Sequence, residues 1–223
     1  MDVSNVVARD EWLAVRKELL VKEKEATRFN DALRAERQAL PWVRVEKDYT
    51  FEGPDGRRSL LELFEGQTQL IVQHFMFDPD WEKGCPSCSH TLDTLSPAHV
   101  RQLQKKDTAF VLVSRAPLAK LEAWKVHKGW DLPWVSSHGS DFNYDFNATH
   151  DERVAPIEHN FRNKAELEAK GLPSDLRGEA PGYSVFVRDG ETLYHTYSTF
   201  DRGCERLVSS TNFLDLTPLG RQG

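Results

Sequence analysis

Two apolar runs constrain what this chain can fold into more than any other feature: residues 69–77 (Gln Leu Ile Val Gln His Phe Met Phe) and residues 108–114 (Thr Ala Phe Val Leu Val Ser). Each is a strand's length of largely apolar residues and reads as a buried strand. Residues 89–106 between them are helical in pattern, as are residues 117–128 after the second run. Strand, helix, strand, helix in series predicts parallel strands joined by a right-handed crossover, hence an α/β fold with a central sheet flanked by helices. A chain of 223 residues is long enough to bury one sizeable core. A net charge of −6 gives no long-range attraction for a phosphate backbone or anionic lipid, so neither nucleic acid nor a membrane is an expected partner. No apolar run approaches the length of a bilayer span, and the first ten residues lack a basic start followed by an apolar core, so a cytoplasmic protein is expected.

The rest of the chain attaches to that unit. Residues 8–40 are rich in Glu, Lys, Arg, Ala and Leu, with Trp12, Leu19, Ala26 and Leu33 recurring every seven positions and Val15 and Phe29 between them. This predicts a long amphipathic helix whose apolar stripe packs on its own chain or makes a homodimer with a second copy. Pro41 ends it. Residues 42–46 and 49–51 read as short strand pieces before a turn at Gly53 Pro54 Asp55 Gly56, an N-terminal hairpin, and Ser59 caps a short helix stopped by Gly66. Residues 132–137 predict a short strand, residues 139–145 a polar and aromatic loop, and residues 147–178 a charged surface insertion with a helix at 164–170. The turn Asp189 Gly190 between two β-branched and aromatic runs is a strong hairpin signal, followed by a closing helix over residues 202–213. The expected organisation is a helical arm over residues 1–41 and one domain over residues 42–223.

The chemistry-bearing feature lies just past the first buried strand. A loop, residues 78–84, leads to Cys85 Pro86 Ser87 Cys88 at the opening of a helix. Pro86 suits the first helical position, so Cys85 becomes the cap, with its sulfur facing the free amides of the first turn. Those amides and the helix dipole favour a thiolate by about 0.3–2 kcal/mol, roughly one pKa unit, and Lys83 adds to this if it turns that way. Cys88 lies one turn on along the same side, where it can resolve a mixed disulfide formed at Cys85. The pattern points to dithiol–disulfide exchange with a disulfide- or thiol-containing protein or small molecule, and with no cofactor. Two alternatives compete. The pair offers two soft ligands to zinc, with His74 or His90 recruited, or to copper, with His150 or His195 recruited. A thiol peroxidase would want an activating arginine and a threonine three residues before Cys85, where Glu82 stands. Covalent haem attachment is excluded because Ser89, not histidine, follows. The third cysteine, Cys204, reads as a small buried hydrophobe and His74 as a hydrogen-bonded core histidine. Arg115, at the end of the second buried strand, is a site candidate because ligands of open α/β sheets collect at strand ends.

Several stretches resemble the bacterial and fungal DUF899 family: residues 49–56 (Tyr Thr Phe Glu Gly Pro Asp Gly), 74–88 (through the Cys Pro Ser Cys motif), 114–118 (Ser Arg Ala Pro Leu), 139–146 (Gly Ser Asp Phe Asn Tyr Asp Phe) and 195–199 (His Thr Tyr Ser Thr). The resemblance runs over nearly the whole chain. It implies a thioredoxin-like sheet and a dithiol–disulfide oxidoreductase, and it carries Cys85 and Cys88 over as the redox pair. Thioredoxin-like proteins set a cis-proline before the final hairpin, facing the cysteines; the equivalent place here falls near Gly182 or Tyr183, with Pro181 adjacent. Trp81 is the substitute for a tryptophan that commonly precedes the first cysteine. Trp81, Pro86, Arg115, Pro181 and Tyr183 are therefore the expected substrate-binding set.

Overall fold

The computed structural model describes residues 5–221. The chain divides into two compact units, Met1–Pro41 and Trp42–Gly223. The first is helix α1 (Arg9–Gln38), with Asp10 and Glu11 in its first turn and Arg37 in its last, charges that oppose the helix dipole. None of its residues is buried, and Trp12, Val15, Leu19 and Phe29 are exposed.

The second unit holds, in order, β1 (Val43–Arg44), β2 (Thr50–Gly53), β3 (Gly56–Ser59), β4 (Gln69–His74), α2 (Pro86–Asp93), α3 (Pro97–Gln104), β5 (Thr108–Ser114), α4 (Leu118–Lys128), β6 (Trp134–Ser136), α5 (Phe142–Asp145), β7 (Thr149–His150), β8 (Glu158–His159), β9 (Arg162–Asn163), α6 (Lys164–Ala169), β10 (Gly178–Glu179), β11 (Gly182–Asp189), β12 (Thr192–Phe200) and α7 (Ser209–Leu214). Eight strands form one sheet in the order β1-β12-β11-β4-β5-β6-β2-β3. β4, β5 and β6 run parallel, and β11 lies antiparallel against β4 and hairpins back into β12. The central order β5-β4-β11-β12, with helices after β4 and β5 and a hairpin closing the sheet, is thioredoxin-like.

The two apolar runs explain this centre. All seven residues of β5 are buried, as expected of a strand covered on both faces. Alternation divides the core: Leu70, Val72, Val111 and Val113 join Phe51, Phe142 and Phe186 on one face. Phe110, Leu112 and Phe75 join Leu92, Leu121 and Trp134 on the other, beneath α2, α3 and α4.

Five sequence expectations change. The helical pattern of residues 89–106 divides into α2 and α3 because Pro97 opens a new helix, with the Ser96 backbone N–H donating to His99 Nδ1 at 3.2 Å. The two N-terminal strand pieces do not pair with one another. β1 joins β12 at one edge of the sheet, while β2 turns through Pro54–Asp55 into β3 at the other. The polar and aromatic loop contains α5, whose Phe142 is buried and packs edge-on against Tyr49 and Phe51. The closing helix is a 3-10 segment (Asp201–Leu207) followed by α7, separated by an extended Val208. The segment read as a surface insertion folds into two small ladders, β7 with β10 and β8 with β9, plus α6, and it buries Ile157 and Leu167.

The dithiol cleft as candidate functional site

After β4 the chain returns to its own strand end, where the Cys85 N–H donates to the Met76 carbonyl at 3.0 Å. Gly84 permits this return, since a Cβ there would lie 2.7 Å from the Phe75 ring and 2.9 Å from the Trp124 indole nitrogen. Pro86 occupies the first turn of α2 and Cys85 is its N-cap. The Cys85 sulfur accepts the Cys88 N–H at 3.5 Å, and its carbonyl accepts the Ser89 N–H at 2.9 Å. Both thiols are free, each about 6% exposed.

The two sulfurs sit in opposite electrostatic states. Cys85 is lowered to about 6, first by the hydrogen bond from the Cys88 thiol, then by the Cys88 and Ser87 amides and the Ser87 hydroxyl, against the opposing effect of burial. Cys88 is driven up by that same hydrogen bond, by burial and by the neighbouring anion. These influences favour the anionic form at Cys85 and the protonated form at Cys88.

A cavity of about 460 Å³ opens beside the pair, and Pro86, Pro181 and Tyr183 line it together with Cys85 and Cys88. The Ala180–Pro181 peptide is trans. Two members of the expected set lie elsewhere. Trp81 is exposed and outside the lining, and its carbonyl accepts from Lys120 Nζ at 2.9 Å. Arg115 lines a separate cavity, because the β7–β10 ladder brings Glu179 beside the end of β5; its guanidinium donates to Glu179 at 2.7 Å and Asp78 at 2.8 Å. Lys83 also faces a different depression, and among the described lining residues of the cleft there is no lysine or arginine. Helix amides and the Cys88 thiol, not a side-chain cation, hold the thiolate.

The histidines considered for a metal are each hydrogen-bonded within the fold. His74 Nε2 is 2.9 Å from Ser184 Oγ, His90 Nε2 2.9 Å from Ser210 Oγ, His150 Nε2 3.1 Å from the Glu158 carbonyl, and His195 Nε2 2.7 Å from Ser198 Oγ. Among the described residues no three His, Cys, Asp or Glu side chains gather in a way that would hold a metal ion. Cys204 packs against the cysteine cluster and also lines the cleft, and burial together with Asp201 pushes its thiol up to about 12. Gln73, a buried polar residue that the apolar run conceals, lines the cleft as well.

A sheet of this topology with a thiol pair at the start of its first crossover helix defines a thioredoxin-like protein with a dithiol site. The chain belongs to the DUF899 family, described as bacterial protein of unknown function, whose model matches residues 1–223. No curated protein matches it in sequence. Among solved structures it is similar to peroxidoxin BcpB from Mycobacterium tuberculosis, with 12% identity, 77% of this chain and 95% of that one covered, and a TM-score of 0.48. It is also similar to Xylella fastidiosa PrxQ (10% identity, 74% and 88% covered, TM-score 0.46) and to Xanthomonas campestris peroxiredoxin Q (11%, 72% and 85%, 0.46).

Proposed function

We propose that this protein is a dithiol–disulfide oxidoreductase in which Cys85 attacks and Cys88 resolves. The observation that carries the reading is the capped, thiol-bonded sulfur of Cys85, lowered to about 6 and open to a cleft. In the first step the Cys85 thiolate attacks one sulfur of a substrate disulfide. A Cys85–substrate disulfide forms, and the other half leaves as a thiolate that takes a proton from water. With the Cys85 charge gone, the Cys88 proton is no longer held by it. Cys88 gives that proton to water and attacks Cys85, releasing the second substrate thiolate. The substrate gains two electrons and the protein ends with a Cys85–Cys88 disulfide, to be reduced by an external dithiol.

The partner class is a disulfide- or thiol-containing molecule. The reading also includes a self-partner: a second copy covering Trp12, Val15, Leu19 and Phe29 of α1 would remove apolar surface from water. Equilibration of the protein with glutathione redox buffers, read by intact mass and by thiol mapping, tests the exchange. A reversible loss of two hydrogens confined to Cys85 and Cys88 is expected. Persistent free thiols across the buffer series, or a stable glutathione adduct in place of the internal disulfide, would refute it.

A further inference from the structure

Gln73 is the fifth of the six residues of β4 and only 4% exposed, in a strand where an apolar side chain would pack without penalty. Ile71 and Phe75, two positions to either side, pack in the cluster that contains both active-site cysteines, so Gln73 shares that face of the sheet. Its registered cross-strand partner on β11 is Tyr183, and both residues line the dithiol cleft. The Gln73 Oε1 is buried and has no hydrogen-bond partner among the described residues. A buried carboxamide oxygen left unpaired is strongly unfavourable, and no described residue relieves it.

We infer that Gln73 reads the substrate, and that the substrate is a disulfide carrying a peptide amide close to its sulfur, a cysteinyl peptide in chemical class. This inference rests on the exchange reading above. A carboxamide is complementary to a peptide group, since its oxygen accepts N–H and its nitrogen donates to C=O. In a cysteinyl disulfide that N–H is three bonds from the sulfur under attack, so one molecule presents both groups to one cleft. The size of the cleft, about 460 Å³, suits a small peptide-like ligand. Among the described lining residues there is no lysine or arginine to balance an anionic ligand, and the two carboxylates are occupied: Asp201 with His159 at 2.7 Å, and Glu205 with Arg202 at 3.0 Å. A neutral amide is the group that the free acceptor of Gln73 suits.

The test compares two neutral disulfides under single-turnover conditions, with the reduced wild-type protein and with Gln73→Leu. The first is the disulfide of N-acetylcysteine amide; the second, 2-hydroxyethyl disulfide, has no amide. Second-order rate constants are read by acid quench and mass, alongside the melting temperature of each protein. The expected result is at least a tenfold loss in Gln73→Leu with the amide disulfide, a change within twofold with the hydroxyethyl disulfide, and a melting temperature unchanged or raised. Equal losses with both substrates, no loss with either, or a lowered melting temperature would overturn the assignment, because a merely structural Gln73 would act on fold and rate without regard to the amide. A wild-type protein that reduces neither disulfide would overturn the exchange reading and this inference together.

Discussion

At the scale of single residues, the environments of the two sulfurs push in opposite directions, Cys85 towards the thiolate and Cys88 towards the thiol. The Cys88 thiol is the largest cause of the lowered Cys85 value, so Cys88→Ala is expected to move Cys85 from about 6 most of the way back towards the ordinary value near 8.5, seen as a shift in the pH midpoint of alkylation. Cys204, held protonated by burial, is expected to label well after Cys85 and to be dispensable, so that Cys204→Ser forms the Cys85–Cys88 disulfide at an unchanged rate. His74 carries a different pH signature. Burial, with His195 adding to it, holds its imidazole down at about 3, while the unfolded chain takes a proton near 6.5. Between those values the unfolded state binds more protons, so stability falls as pH drops from 6.5 towards 3, by up to about 1.4 kcal/mol per pH unit from this group. The urea midpoint of His74→Gln is expected to fall less steeply than wild type over that window. The cysteine pair and Pro86 carry local signals, a cap and a proline at a helix start, whereas Pro181 and Tyr183 are reached only through the family resemblance and do line the cleft. Gln73 and Arg115 carry no such signal. The environment of each is set by a strand distant in sequence, Tyr183 on β11 for the one and Glu179 on β10 for the other.

At the scale of elements, the turn from β4 into α2 decides whether the thiol meets the helix amides. Gly84→Ala places a methyl against Phe75 and Trp124 and is expected to lower stability by about 1–3 kcal/mol, measured by chemical denaturation, while slowing disulfide formation through a displaced Cys85. The strands and helices of the central crossover were legible because each carries its own period, and β5 matches its apolar run residue for residue. Strand partners were not. Nothing in residues 42–46 states that Val43 will sit opposite His195, since edge pairing is settled by which backbone groups the finished sheet leaves open. The division of α2 from α3 did have a local signal in Ser96 and Pro97, which the helical periodicity on both sides of it masks.

At the scale of the whole molecule, one domain supplies the thioredoxin-like sheet and the cleft, and a separate helical unit presents apolar side chains. If α1 serves as the self-association element, Leu19→Glu is expected to convert a dimer to a monomer by light scattering and to leave the rate of Cys85–Cys88 disulfide formation within about twofold, since Leu19 is an exposed helix position and all residues lining the cleft belong to the other unit. No helix among the described residues is long and apolar enough to cross a membrane. The central claim is that this fold exists to hold Cys85 as a thiolate beside Cys88. The measurement that bears on it most directly is the pH dependence of Cys85 alkylation in reduced, metal-free protein, followed by mass spectrometry at the single-residue level. A midpoint near 6, with Cys88 and Cys204 unlabelled until far higher pH, is the expected result. A midpoint at the ordinary cysteine value, with the three thiols labelling together, would contradict it.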